Sequence, residues 1–255
     1  MLYTYKVAFS VSVMGVIFNF LYLVLFGSMF ATTNIPSLPA AYNGDFISYI
    51  LVGSIGWGFL WSIMSGTGSS LRNEMVMGTL ESVLLTPTKM FTLMFSYALF
   101  GSFFGFLSMI ALTLIGFVFF GFSVFANANI FTLIIFILSA AMMMGFGMIF
   151  GGLTIWLKKI GETIPLLQSI VTFFSGVYFP LAVLPAFLQP IAKYIPFYYS
   201  IQGLRLSMIP STPIYELIYY VSIILILAVV VNIIGFYTLK RGLLKAKKDG
   251  SLAFY

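Results

Sequence analysis

Residues 90–157 contain no Lys, Arg, Asp or Glu. A soluble core does not accommodate so long a charge-free run; at about 20 residues per crossing it must traverse a bilayer twice. The remainder agrees, since only 7% of the 255 residues are charged, 61% are hydrophobic and the mean hydropathy is +1.11. Soluble domains carry roughly one quarter charged residues. The apolar runs are continuous and lack the period-two alternation of a membrane barrel, so the expected fold is an all-α polytopic membrane protein.

Charge and turn punctuation divide the chain into six expected spans, at about 7–30, 46–66, 91–120, 130–157, 164–184 and 217–239, within a single transmembrane domain covering 1–255. The first run, preceded only by Lys6, is too long for the apolar part of a cleaved signal peptide and reads as a retained span. With a cytoplasmic N-terminus, every Lys and Arg except Lys193 and Arg205 falls inside. The positive-inside rule therefore places both termini in the cytoplasm of a multi-pass protein of the cell (inner) membrane. The same asymmetry accounts for the net charge of +6 without nucleic acid. The basic tail around Lys240–Lys248 anchors topology and lies where anionic headgroups attract it.

Acidic residues sit at span starts: Asp45, Glu162 and Glu216 each fall at or before the first turn of an expected helix, where a carboxylate meets the positive end of the helix dipole. Lys158 and Glu162 are spaced to pair if one helix carries both. Small-residue pairs Gly101/Gly105 and Gly147/Gly151 permit close helix approach, within the chain or between subunits.

Two irregular segments break the hydrocarbon. The first, 71–89, carries Arg72, Glu74, Glu81 and Lys89, contains Gly78-Thr79 and closes on Thr86-Pro87. It is too polar for lipid and too short for a domain, so it is expected to be a cytoplasmic element against which something docks. Gly78 permits a sharp change of direction, Thr79 is placed to cap a following helix, Glu81 falls in that helix's first turns, and Pro87 separates it from the next span. The second segment, 179–213, holds Pro180, Pro185, Pro190, Pro196, Pro210 and Pro213 among apolar and aromatic residues. Prolines so frequent exclude a straight span and predict short helices lying at, or re-entering, the outer face.

The chemistry available is narrow. Without Cys or His, thiol and imidazole catalysis and the usual zinc sites are excluded. No phosphate-binding G-x-x-x-x-G-K-[ST] loop occurs. The spans place no ionisable group near a midplane, which disfavours a proton-driven carrier, while a sodium site built from backbone carbonyls stays open. No cofactor or metal is expected on this chain.

The run Asn73-Glu74-Met75-Val76-Met77-Gly78-Thr79-Leu80-Glu81, followed by Leu84-Leu85-Thr86-Pro87, resembles the cytoplasmic loop of ABC-2 type transporter permeases. Phe179-Pro180-Leu181, Leu184-Pro185, Pro196 and Leu204-Arg205 look like that family's external helical hairpin between the fifth and sixth spans. The resemblance implies the membrane subunit of an ABC exporter, with ATP and Mg bound by two partner ATPase subunits and a second permease subunit completing a homo- or heterodimer. It makes Glu74, Gly78, Thr79, Leu80, Glu81, Thr86 and Pro87 the ATPase-coupling residues, and Pro180, Pro185, Pro196 and Arg205 residues of the external hairpin. A short N-terminus and the Gly-Thr-Leu-Glu loop look more like drug- and antibiotic-exporting relatives than polysaccharide exporters, and imply a small amphipathic or lipid-like substrate. A polysaccharide- or glycolipid-exporting permease is the alternative within the family. A passive channel or scaffold without an ATPase is the alternative from another class.

Overall fold

The computed structural model describes residues 14–15, 18, 21–23, 25, 46–121, 125–157 and 164–248. Regular structure among the described residues is helical throughout. In chain order these are α1 (Phe46–Val76), α2 (Leu80–Leu85), α3 (Met90–Phe120), α4 (Ile130–Leu157), α5 (Ile164–Phe174), a 3-10 turn (Leu181–Val183), α6 (Gln189–Lys193), α7 (Pro196–Ser207) and α8 (Ile214–Lys248).

Four of these helices, α1, α3, α4 and α8, are long and apolar enough to cross a membrane. Their 28 to 35 residues rise about 42–53 Å at 1.5 Å each, against a hydrocarbon core of about 30 Å. The span expected at 7–30 lies almost wholly outside the described residues, as do Asp45 and the Lys158–Glu162 pair. The expected end of the span at 164–184 is corrected: the described part of its helix runs Ile164–Phe174 and stops ten residues short of 184. Gly176, at φ 69°, follows as a left-handed turn that stops the helix. The helix expected over 46–66 instead continues to Val76, so the beginning of the polar 71–89 segment is helical.

Helix α8 packs along α4, and α1 lies against both α3 and α4. Glycine makes these approaches possible. A Cβ on Gly101 would stand 2.6 Å from the Ser62 carbonyl oxygen of α1, and one on Gly147 would stand 2.8 Å from that of Met64. Both small-residue pairs recognised in the sequence thus face α1 of the same chain. A second set joins α4 to α8: a Cβ on Gly145 would stand 2.9 Å from Asn232 N, and one on Gly242 would stand 2.5 Å from Gly152 O. Asn232 closes this seam by donating to Ala141 O of α4 and to Ala228 O of its own helix, each at 2.8 Å. In lipid, where apolar tails solvate apolar helices, such close packing and interhelical hydrogen bonding drive association.

Candidate functional site

The polar segment between α1 and α3 folds into an elbow whose geometry is set by one glycine. Gly78 has φ 70°, a left-handed value that costs residues with a Cβ about 1–2 kcal/mol. It ends α1 in a Schellman arrangement: Gly78 N donates to Met75 O at 3.1 Å and Thr79 N to Glu74 O at 2.9 Å. Thr79 then occupies the N-cap position of α2, but its hydroxyl does not cap that helix. It turns back to donate to the Glu74 carboxylate, which corrects the capping role expected for it. Glu74 also accepts from the Tyr97 hydroxyl of α3 at 3.3 Å. One carboxylate therefore gathers the end of α1, the start of α2 and the first turns of α3.

Helix α2 is held on one side only. Leu80 is 0% exposed and belongs to the main apolar cluster with Leu71, Met75, Met94 and Leu243. Glu81, in the first turn, is exposed. Met77 and Leu85, at 73% and 80% exposure, extend this outward face with apolar surface. Thr86 ends the helix: its amide and hydroxyl return to Val83 O at 3.3 and 2.7 Å, and its extended backbone is the conformation that Pro87 imposes on the residue before it.

The segment 179–213 contains the short helices expected of it. Pro180 occupies the N-cap of the 3-10 turn, Pro185 O accepts from Leu188 N at 2.8 Å, and Pro196 opens α7, so the prolines start local structure. Arg205 of α7 is 2% exposed. Its guanidinium donates to the Tyr49 hydroxyl at 2.8 Å, to Gly176 O at 2.5 Å, to Val177 O at 2.6 Å and to Tyr49 O at 3.1 Å, and it lies 3.6 Å over the Tyr49 ring. Gly53 of α1 leaves room for it; a Cβ there would meet Arg205 Nη2 and Val177 O. The sequence marked Arg205 but contained no local signal for this clamp, whose partners are distant in the chain.

Between α1 and α5 opens a cavity of about 420 Å³. Trp57, Trp61 and Ser54 line the α1 side, Gln168 and Thr172 the α5 side, and Tyr178 closes it. The sequence reading missed this cavity; the Trp57–Trp61 spacing of four, one helix face, was the available signal. No cluster of acidic residues suited to a metal ion occurs among the described residues.

Long apolar helices joined by a polar elbow with an outward face make this an all-helical membrane protein with a surface suited to a partner. The family model for the ABC-2 type transporter matches residues 2–209, and the chain belongs to that family. It is the membrane permease of an ABC transporter, a transport subunit and not a catalytic one, and permeases of this family generally work with ABC ATPase partners. A search of curated proteins finds no match.

Proposed function

We propose that the chain is the permease of an ABC exporter that moves a small amphipathic or lipid-like substrate out of the cytoplasm or inner leaflet. Two ATPase subunits, holding ATP and Mg, drive a dimer of permeases in the cell membrane. Each permease has six spans, both termini in the cytoplasm and 179–213 at the outer face, in keeping with the Lys and Arg asymmetry.

The observation that carries this reading is the one-sided seating of α2. Leu80 is sunk in the core while Met77, Glu81 and Leu85 point away from it. An exposed apolar patch with a carboxylate at its edge is the surface of a docking element. The Schellman turn and the Glu74–Tyr97 bond make α2 a lever, because a force on its outer face is delivered to α1 and α3 together. The α1–α5 cavity combines indole faces with Ser, Gln and Thr side chains, a lining suited to a substrate with both apolar and polar parts.

The test is copurification with transport. An ABC ATPase should accompany the chain in mild detergent, and Glu81→Lys should release it and abolish efflux from vesicles while membrane insertion stays normal. Efflux persisting in Glu81→Lys and in the chain stripped of any ATPase would support a channel or ion-coupled carrier instead.

A further inference from the structure

A groove of about 310 Å³ runs between the elbow and the C-terminal part of α8. Its walls change character along their length. Leu93 of α3 and Phe236 of α8 stand at one end; along α8 Lys240, Leu243, Leu244 and Lys247 follow in turn, with Met90 and Thr88 on the facing wall. Both walls are graded in the same sense. Leu93 lies a turn further into α3 than Met90, the first residue of that helix, and Phe236 lies a turn further into α8 from its C-terminus than Lys240. The end at Leu93 and Phe236 is therefore the membrane end of the groove, and the end at Thr88 and Lys247 is its mouth. Lys240 and Lys247 are exposed and share one helix face, separated by about 10 Å of axis, a gap that two four-carbon side chains close around one small anion. Neither Glu74 nor Glu81 lines the groove.

We propose that this groove binds one anionic phospholipid, with its phosphate between Lys240 and Lys247 and an acyl chain along Leu93 and Phe236. Charge complementarity at the mouth and hydrocarbon at the membrane end select this occupant over a zwitterionic lipid, which offers the lysines no net charge, and over a free phosphate, which has nothing to place against Leu93 and Phe236. Val83 and Leu84 of α2 form part of the wall, so the lipid braces the elbow against α8. Met77, Glu81 and Leu85 do not line the groove; lipid and a protein partner use different faces of the elbow. Lipid binding does not depend on the coupling role proposed for α2.

The experiment is native mass spectrometry of the full chain in detergent, titrated separately with dioleoylphosphatidylglycerol, dioleoylphosphatidylcholine and inorganic phosphate. Phosphatidylglycerol should be retained in preference to both others, with one molecule per chain. K240Q/K247Q should weaken its binding about 25-fold, at about fivefold per lysine. K245Q/K248Q removes the same charge from residues outside the groove, Lys245 being turned onto Trp156 at 5.1 Å, and should bind as the unaltered chain does. Leu93→Trp, which fills the membrane end, should weaken phosphatidylglycerol with both lysines intact. Equal losses in the two lysine pairs would reduce the effect to diffuse surface charge and overturn the proposal. Indifference to headgroup, unchanged binding in Leu93→Trp, or a change of oligomeric state in K240Q/K247Q with lipid binding intact would each overturn it as well.

Discussion

Tyr97 of α3 donates a 3.3 Å hydrogen bond to Oε1 of Glu74, near the end of α1, so the two helices flanking the elbow are joined by side chains as well as by the turn at Gly78. The elbow is consequently braced at both ends. Tyr97→Phe removes this brace and leaves the Thr79–Glu74 contact in place. We expect a stability loss of about 1 kcal/mol, the typical net worth of one hydrogen bond, and a larger proportional loss of transport. Thermal unfolding in detergent and vesicle efflux measure the two separately; efflux at the unaltered rate would show that the brace does not transmit force.

Gly78 is required for its backbone and not for space. A Cβ there meets nothing within 4 Å, yet φ is 70°. Gly78→Asn should therefore be tolerated better than Gly78→Val, because Asn visits the left-handed region readily and a β-branched residue does not. The separation should be about 1 kcal/mol in stability, with Val the lower in transport. Equal behaviour of the two variants would remove the backbone explanation.

Arg205 holds the 179–213 segment to α1 and to the turn after α5. Arg205→Leu strands the buried carbonyl oxygen of Val177, at a cost of about 1–3 kcal/mol, leaves Gly176 O with only the 3.3 Å bond from the Tyr49 hydroxyl, and should lower the detergent melting temperature strongly. Arg205→Lys keeps the charge but loses the fork that reaches several acceptors at once, and should fall between. Gly53→Ala provides an independent check: it leaves the arginine in place but crowds its guanidinium, and should reproduce part of the loss.

The α4–α8 seam depends on Asn232, whose amide bonds Ala141 O at 2.8 Å. Asn232→Leu should destabilise the fold by about 1 kcal/mol, within the range measured for interhelical hydrogen bonds in membranes. Because Asn232 bonds only α4 and its own helix and does not line the groove beside the elbow, copurification with an ATPase should be unchanged.

How much of this was legible in the sequence depends on how local each cause is. The elbow's boundaries were readable because Gly78 and Pro87 act on their own backbone. The continuation of α1 to Val76 was obscured by Arg72, Asn73 and Glu74, which read as loop. Yet Leu71 and Met75, both buried and four residues apart, carry the helical face onward, and that period was the signal to use. Thr79 was misassigned because a capping threonine and one that bonds a preceding carboxylate look alike until Glu74 is placed. The fifth span was overextended because residues up to 184 are apolar, and apolarity alone does not show that Gly176 turns left-handed. The Arg205–Tyr49 contact joins residues 156 apart in the chain, and no pattern of spacing encodes it.

The central claim is that the outward face of α2 receives an ATPase on the cytoplasmic side. The chain has no Cys, so Leu85→Cys, at a side chain 80% exposed, introduces a unique thiol. Co-expressed with its ATPase and treated with a short bifunctional reagent, Leu85→Cys should form a permease–ATPase adduct whose yield changes with ATP, and Phe187→Cys, at a site 74% exposed, should not. Modification of Leu85→Cys by a membrane-impermeant reagent in intact cells, with no adduct to the ATPase, would contradict the account.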